Sequence, residues 1–157
     1  MTDRDGRLAN AADDLVLGDE LNAGVDQVEL EEFRRILTAG GDEFLGSVYT
    51  DEERNYCAGR LERLAVRFAA KEAATKALGT GLRGISPREI EVVSAPNGRP
   101  RLQLHGRAHS RARALGLTSM SVSLTHTRTA AVAFVVALCE PVNRTDSSLP
   151  LRKESRL

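Results

Sequence analysis

Large aromatic side chains are scarce in this sequence of 157 residues. It contains no tryptophan, four phenylalanines and two tyrosines, and aromatic residues make up 4% of the chain. A core must therefore come from aliphatic and small side chains, for which the 41% of hydrophobic residues is enough to build one domain. The basic stretch 99–113 lacks the interleaved aromatics that stack on bases, so we expect no nucleic-acid partner.

Long apolar runs and patterned cysteines are also missing. No run approaches the roughly 20 residues that cross a bilayer, and the first ten residues, MTDRDGRLAN, include no apolar segment typical of a signal peptide. The two cysteines, Cys57 and Cys139, form neither a disulfide framework nor a CxxC motif. We therefore expect a cytoplasmic protein without a membrane partner.

The net charge of zero conceals an uneven distribution. Residues 1–53 contain 15 acidic and 4 basic residues, whereas residues 54–157 contain 7 acidic and 18 basic residues. This asymmetry favours either a basic surface that binds an anionic partner or two halves that neutralise each other in the fold.

The hydrophobic pattern predicts an α+β domain with mostly antiparallel strands. Predicted helices run from residue 29 to the glycines at 40–41, after the capping box Thr50–Glu53, over 60–78 and over 107–115. Predicted strands cover 21–28, 90–93, 102–104, 119–124 and 130–138, with a hairpin turn at Asn97-Gly98. We expect one domain over 21–140, with flexible tails at 1–20 and 141–157.

The helix predicted over 60–78 places a carboxylate on its apolar stripe. At about 100° per residue, Glu72 falls about 20° from Leu61, on the side that also carries Leu64 and Phe68. A carboxylate there must be paired, protonated or bound to a metal, unless the stripe reaches solvent or Glu72 pairs with Lys76 four residues later.

A second stripe of this helix is cationic. Arg60, Arg63, Arg67 and Lys71 fall within about 80° of one another, which indicates either a phosphate-rich ligand or a solvated face. The following Gly79-Thr80-Gly81 segment offers backbone N–H groups to phosphate, although a helix C-cap explains it equally well.

Two other residues have suitable chemistry for a binding site. Asp26 ends the first predicted strand and is either a helix cap or a second hard-metal ligand beside Glu72. The three histidines show no zinc spacing, and His126 after a later strand is either structural or a ligand contact.

Three segments together resemble the holo-acyl-carrier-protein synthases, the small 4′-phosphopantetheinyl transferases. The segment from Arg67 to Gly81, RFAAKEAATKALGTG, is similar to the family's central motif around K-E-A-x-x-K. Gly24-Val25-Asp26 matches the upstream GxD, and Ser123-Leu124-Thr125-His126 matches the downstream S-L-T-H segment. The order and spacing of all three fit, and the resemblance covers residues 21–139.

The resemblance implies a fold in which an antiparallel sheet packs against a long central helix, usually in a homotrimer with sites between neighbouring subunits. Family members transfer the 4′-phosphopantetheine arm of coenzyme A, their co-substrate, to a serine of an apo acyl carrier protein or related carrier domain. They require Mg²⁺ and release adenosine 3′,5′-bisphosphate. The carriers serve fatty acid or polyketide biosynthesis.

Motif positions imply roles for individual residues. Asp26 and Glu72 correspond to Mg²⁺ ligands, and Lys76 to the residue that assists the leaving diphosphate. The implied coenzyme A contacts are Arg67, Lys71, Lys76, Gly79, Thr80, Gly81, Pro100 and His126. The general base is left open between Glu72 and a water near Asp26. A non-catalytic relative that binds coenzyme A or a carrier is the alternative.

The acidic first helix departs from the family pattern. Glu32 stands where family members frequently have an arginine that docks an acidic carrier, and Thr127 stands where an acid frequently follows the histidine. We therefore expect coenzyme A chemistry with a carrier that is less acidic or specialised.

Overall fold

The computed structural model describes residues 21–81 and 84–139. The tails predicted at 1–20 and 141–157 lie outside the described residues. The helices are α1 (Leu30–Val48), α2 (Asp51–Cys57), α3 (Leu61–Ala77) and α4 (Gly106–Ala114), with a short 3₁₀ turn at Pro87–Glu89. The strands are β1 (Leu21–Glu29), β2 (Ile90–Ser94), β3 (Pro100–Leu104), β4 (Leu117–His126) and β5 (Ala130–Cys139). In this part of the chain, no helix combines the length and hydrophobicity of a membrane span.

Two antiparallel sheets form the β part of the fold. β5 lies between β1 and β4 in a three-stranded sheet, and β2 pairs with β3 in a separate hairpin. The hairpin turns at Asn97-Gly98, where Gly98 adopts a φ of +80° that side chains disfavour. The predicted α+β architecture, with antiparallel strands against a long central helix, is confirmed.

Small side chains let α3 approach the three-stranded sheet closely. The buried alanines at this contact are Ala69, Ala70, Ala73, Ala74 and Ala77 of α3 and Ala131, Ala133 and Ala137 of β5. At Gly24 in β1, an added Cβ would overlap the carbonyl oxygen of Ala73. The backbones of β1 and α3 are in direct contact at this point. The core is therefore densely packed although it contains few aromatic rings.

α1 contains the predicted break at Gly40-Gly41, which divides it into two helical segments. It kinks at Gly41, which has φ +49° and ψ −140°, and resumes to Val48. Beyond the kink, the ring centroid of Phe44 lies 6.2 Å from that of Phe33 and 6.1 Å from that of Phe68. Burial of these rings favours a second helical segment directly after the two glycines.

The predicted capping box at the start of α2 is confirmed. Thr50 Oγ1 accepts from the Glu53 amide at 3.2 Å, and the Thr50 amide donates to Glu53 Oε2 at 3.0 Å. Glu53 is 2% exposed, so its carboxylate reaches from the helix start into the core.

Lys71 is the internal partner of this carboxylate. Its ammonium is fully buried and donates to Glu53 Oε2 at 2.7 Å. It also donates to the carbonyl oxygens of Pro87 and Ile90, at 3.0 and 2.6 Å. Burial lowers the pKa of Lys71, and Glu53 opposes that shift. All three N–H groups of the ammonium are used inside the protein, so Lys71 has no donor left over for the predicted contact with coenzyme A in this structure.

We expect Lys71→Met to lower the free energy of unfolding by about 3–5 kcal/mol, because it leaves the buried Glu53 carboxylate unpaired. Urea denaturation followed by circular dichroism measures this loss. Arg54→Met is the matched control: Arg54 pairs with Asp42 at the similar distance of 2.8 Å, but the two side chains are 37% and 90% exposed. Its loss should stay below about 1 kcal/mol. A stable Lys71→Met protein with weakened coenzyme A binding would restore the phosphate role.

Candidate active site

Three residues predicted from the sequence meet where β1 crosses α3. Asp26 follows Gly24 by two positions and therefore points to the same face of β1, towards α3. The ammonium of Lys76 donates to Asp26 Oδ1 at 2.8 Å and to the Val25 carbonyl oxygen at 2.9 Å. Glu72, one turn before Lys76, lines the same cleft as Asp26. The backbone contact at Gly24 thus brings two carboxylates and one ammonium together.

The carboxylate of Glu72 is the least satisfied group of this cluster. Its Oε1 is buried and has no hydrogen-bond partner among the described residues. Burial and then the nearby Asp26 raise the pKa of Glu72, while Lys76 acts in the opposite direction. Lys76 pairs with Asp26 and not with Glu72, so the simple ion pair at i+4 does not explain this residue.

The donor set fits a hard divalent cation that keeps some of its own ligands. Across residues 21–81 and 84–139, no group of three or more histidine, cysteine or acidic side chains could hold a metal ion by itself. Mg²⁺ usually binds to one or two carboxylates and completes its shell with water and substrate phosphates. Asp26 and the unsatisfied Glu72 oxygen supply such a pair.

A cleft of about 360 Å³ opens beside these carboxylates. Phe33, Ile36 and Phe68 form its apolar wall, and two exposed acids, Glu29 and Glu32, also line it. A group that reaches the carboxylates through this cleft therefore passes both apolar and acidic surface.

The cationic stripe of α3 is neither a solvated face nor a single ligand-facing row. Lys71 is used in the core, as described above. Arg67 is only 4% exposed, and its Nη2 donates to Ser94 Oγ at 3.2 Å. Its guanidinium carbon lies 4.1 Å from the ring centroid of Tyr56. Tyr56 and Ser94 lie in α2 and β2, and no sequence pattern links them to Arg67, so sequence reasoning missed them.

The Gly79-Thr80-Gly81 segment caps α3. The Gly79 amide donates to the Lys76 carbonyl oxygen at 3.0 Å, and the Thr80 amide donates to that of Thr75 at 3.1 Å. The C-cap interpretation is therefore confirmed for these two amides, which leaves neither free to bind phosphate.

Two other predicted coenzyme A contacts, His126 and Pro100, do not lie beside Asp26 and Glu72 within the described chain. His126 is exposed at the end of β4 and pairs with Ala131, which in turn pairs with Val28. β5 thus separates His126 from β1, by two strand spacings or about 10 Å. Pro100 begins β3 opposite Ser94, on the separate hairpin.

Comparison with known proteins gives consistent results. The model of the 4′-phosphopantetheinyl transferase superfamily matches residues 22–136. The holo-acyl-carrier-protein synthase of Herpetosiphon aurantiacus is 43% identical over 125 residues, which cover 75% of this chain and 98% of that relative. The synthase structure from Neisseria meningitidis has 37% identity and a TM-score of 0.67, covering 74% of this chain and 96% of that chain. That from Helicobacter pylori, in complex with coenzyme A, has 26% identity and a TM-score of 0.67, covering 73% and 98%.

The raised pKa of Glu72 predicts how the protein without metal responds to pH. The folded chain binds a proton at this carboxyl more readily than the unfolded chain does, so the stability that the carboxyl contributes is present at acid pH and lost as the pH rises. We therefore expect Glu72→Gln to raise the melting temperature at pH 8, at about 4 °C per kcal/mol gained, and less at pH 4. If the two carboxylates hold Mg²⁺, the added ion should raise the melting temperature of the parent protein and not that of the variant.

Differential scanning calorimetry measures both effects. Glu62→Gln, which changes an exposed glutamate of the same helix, should show neither of them. A lower melting temperature for Glu72→Gln at pH 8 would mean that the charged carboxylate is paired in the fold, and would contradict this account.

Proposed function

The chain belongs to the holo-acyl-carrier-protein synthase family of 4′-phosphopantetheinyl transferases, and we propose that it carries out that transfer with Mg²⁺ held by Asp26 and Glu72. It is a transferase, and its substrates are coenzyme A and an apo acyl carrier protein. The observation that carries the proposal is the cluster of Asp26, Glu72 and Lys76, in which a buried carboxylate oxygen has no partner.

The chemistry is a displacement at phosphorus. A serine oxygen of the carrier forms a bond to the β-phosphorus of coenzyme A, the bond from that phosphorus to the bridging oxygen breaks, and adenosine 3′,5′-bisphosphate leaves. Such a reaction depends on positioning and charge neutralisation more than on covalent help. Mg²⁺ bound by the two carboxylates would supply that neutralisation at the diphosphate oxygens.

Lys76 is suited to the leaving group. Its ammonium has three N–H groups, of which two are used by Asp26 and the Val25 carbonyl oxygen. The side chain is 51% exposed, so the third donor faces outwards to the diphosphate. Asp26 thereby orients the ammonium as well as binding the cation.

The serine proton needs an acceptor near the carboxylates. The Asp26 carboxylate already accepts a hydrogen bond from Lys76, whereas Glu72 Oε1 has no partner among the described residues, so Glu72 is one candidate acceptor. A water held near Asp26 is the other acceptor consistent with this geometry.

The outer face of the three-stranded sheet supports a homotrimer. Strand alternation turns four large apolar side chains away from α3, and they are 47–59% exposed: Leu21, Val25, Phe134 and Leu138. An apolar face of this kind is covered when copies of a chain associate. In the proposed trimer, His126 would act in the site of a neighbouring subunit, while Arg67, Pro100 and the segment 79–81 would contact coenzyme A.

We expect the carrier protein to be less acidic than the carriers that family members usually modify. Glu29 and Glu32 line the cleft beside the carboxylates. The arginines of α1, Arg34 and Arg35, lie 3.5 and 3.8 Å from Glu31, so one glutamate of the same helix partly neutralises both of them. Our proposal is therefore a carrier with little negative charge near its modified serine.

A transfer assay tests the proposed function. Purified protein with Mg²⁺, coenzyme A and a panel of apo carriers should give a pantetheinylated carrier by mass spectrometry. Asp26→Ala and Glu72→Gln should each reduce the rate at least about 100-fold, because even indirect partners of a metal cost 10- to 100-fold. Glu62→Gln is the control and should stay within about twofold. Coenzyme A binding without transfer to any carrier would favour the non-catalytic alternative.

The trimer is tested separately by light scattering after gel filtration. The parent protein should have about three times the chain mass of 17.0 kDa. Phe134→Glu places a charge at the centre of the apolar sheet face and should give monomers with much reduced transfer. Ile36→Glu changes a side chain on α1 that is similarly exposed, at 40%, and should remain trimeric. A monomeric parent protein would contradict the proposed assembly.

A further inference from the structure

Two arginines near the start of α3 contact one tyrosine ring. The guanidinium carbons of Arg67 and Arg63 lie 4.1 and 5.1 Å from the ring centroid of Tyr56. Arg63 Nη1 also donates to the Tyr56 carbonyl oxygen at 2.9 Å. No ion pair among the described residues includes either arginine. Two positive charges therefore lie together without an acidic partner in the described part of the chain.

Arg67 is buried but uses only part of its donor capacity. Nη2 donates to Ser94 Oγ at 3.2 Å, and Nη1 reaches the Arg63 carbonyl oxygen only at 3.5 Å, which is long for a hydrogen bond. Nε is buried and has no partner among the described residues. Buried donors are normally satisfied, and Nε with a neighbouring Nη is the edge of arginine that binds a phosphate with two bonds.

The two partners of Arg67 border an open cleft. Tyr56 and Ser94 line a volume of about 510 Å³ together with the hairpin turn. Three acids also border this cleft: Glu52, Glu53 and Glu91. The carboxylate of Glu53 is held by Lys71 and the Val92 amide, and that of Glu91 by Thr50 and His105. Arg67 therefore contacts two residues that line the cleft, and its Nε has no partner among the described residues.

We propose that Tyr56 is a positioning residue whose ring holds the Arg67 guanidinium for a phosphate of coenzyme A. The proposal rests on the proposed function. An aromatic face fixes the plane of a guanidinium without using any of its N–H groups. Ser94 accepts one N–H of Nη2, which leaves Nε and the second N–H of Nη2 for the ligand.

The position of Arg67 on α3 indicates which phosphate it meets. It precedes Glu72 by five residues, which is about 7.5 Å along the helix and about 140° around it. The diphosphate is assigned to Glu72 and Lys76, so Arg67 meets the phosphate at the adenosine end, the 3′-phosphate.

Nucleotide binding measured by calorimetry tests the role of Tyr56. Tyr56→Leu removes the ring and should weaken binding of adenosine 3′,5′-bisphosphate roughly three- to tenfold, with less than about a twofold effect on adenosine 5′-monophosphate. Tyr56→Phe keeps the ring and should bind both within about twofold of the parent protein. In the transfer assay, Tyr56→Leu should raise KM for coenzyme A by the same factor and leave kcat unchanged.

A double substitution separates positioning from a general structural effect. In an Arg67→Ala background, Tyr56→Leu should cause no further loss of bisphosphate affinity, because the ring acts through Arg67. Independent, multiplying effects would overturn the proposal, as would equal weakening of both nucleotides or a Tyr56→Phe variant that behaves like Tyr56→Leu. Ser94→Ala provides a second variant and should weaken bisphosphate binding selectively.

Failure of the Tyr56 positioning role can be distinguished from failure of the proposed transfer reaction. If no carrier is modified but Tyr56→Leu selectively weakens the bisphosphate, the transfer proposal fails and the positioning role stands. If the parent protein binds no adenosine 3′,5′-bisphosphate, the positioning role fails whatever the transfer assay gives.

Discussion

The contact between the backbones of β1 and α3 determines what the rest of the molecule can do. Gly24 leaves no room for a Cβ against the carbonyl oxygen of Ala73. A larger residue would push the strand away from the helix and separate Asp26 from Lys76, which lie 2.8 Å apart. The alanines of α3 also allow the helix to lie close to the sheet. The site therefore depends on small side chains at this contact, and their abundance is more than a feature of composition.

Local periodicity was sufficient to predict the elements that form this site. Helical geometry alone placed Glu72 on the inner side of α3, where its Oε1 is buried. The same reasoning predicted the break at Gly41 but not the helical segment that follows it to Val48, in which Phe44 packs on Phe33 and Phe68. Phe68 belongs to α3 and is distant in sequence from Gly41, and a local rule for helix ends does not include it.

Charged residues could not be assigned from one helix alone. Arg67 and Lys71 lie on the same stripe of α3 and look equivalent in the sequence. Glu53, 18 residues earlier, serves both a capping box and a buried ion pair, and it takes Lys71 into the core. Arg67 instead meets Tyr56 and Ser94 and keeps an unused donor. Burial and partners come from other elements, so motif position alone does not distinguish a buried ion-pair partner such as Lys71 from a cation with an unused donor such as Arg67.

The uneven distribution of charge along the chain affects the electrostatics of the candidate active site. Asp26 and Glu72 repel each other, and that repulsion adds to burial in raising the pKa of Glu72. A divalent cation at the proposed site would offset both costs, since Mg²⁺ usually binds one or two carboxylates together with substrate phosphates. The cleft beside them still carries Glu29 and Glu32. An acidic carrier would approach these two side chains at short range, where like charges are least screened. Glu29 and Glu32 of the acidic half therefore support the proposed preference for a less acidic carrier, and Arg67 of the basic half supports the proposed nucleotide contact.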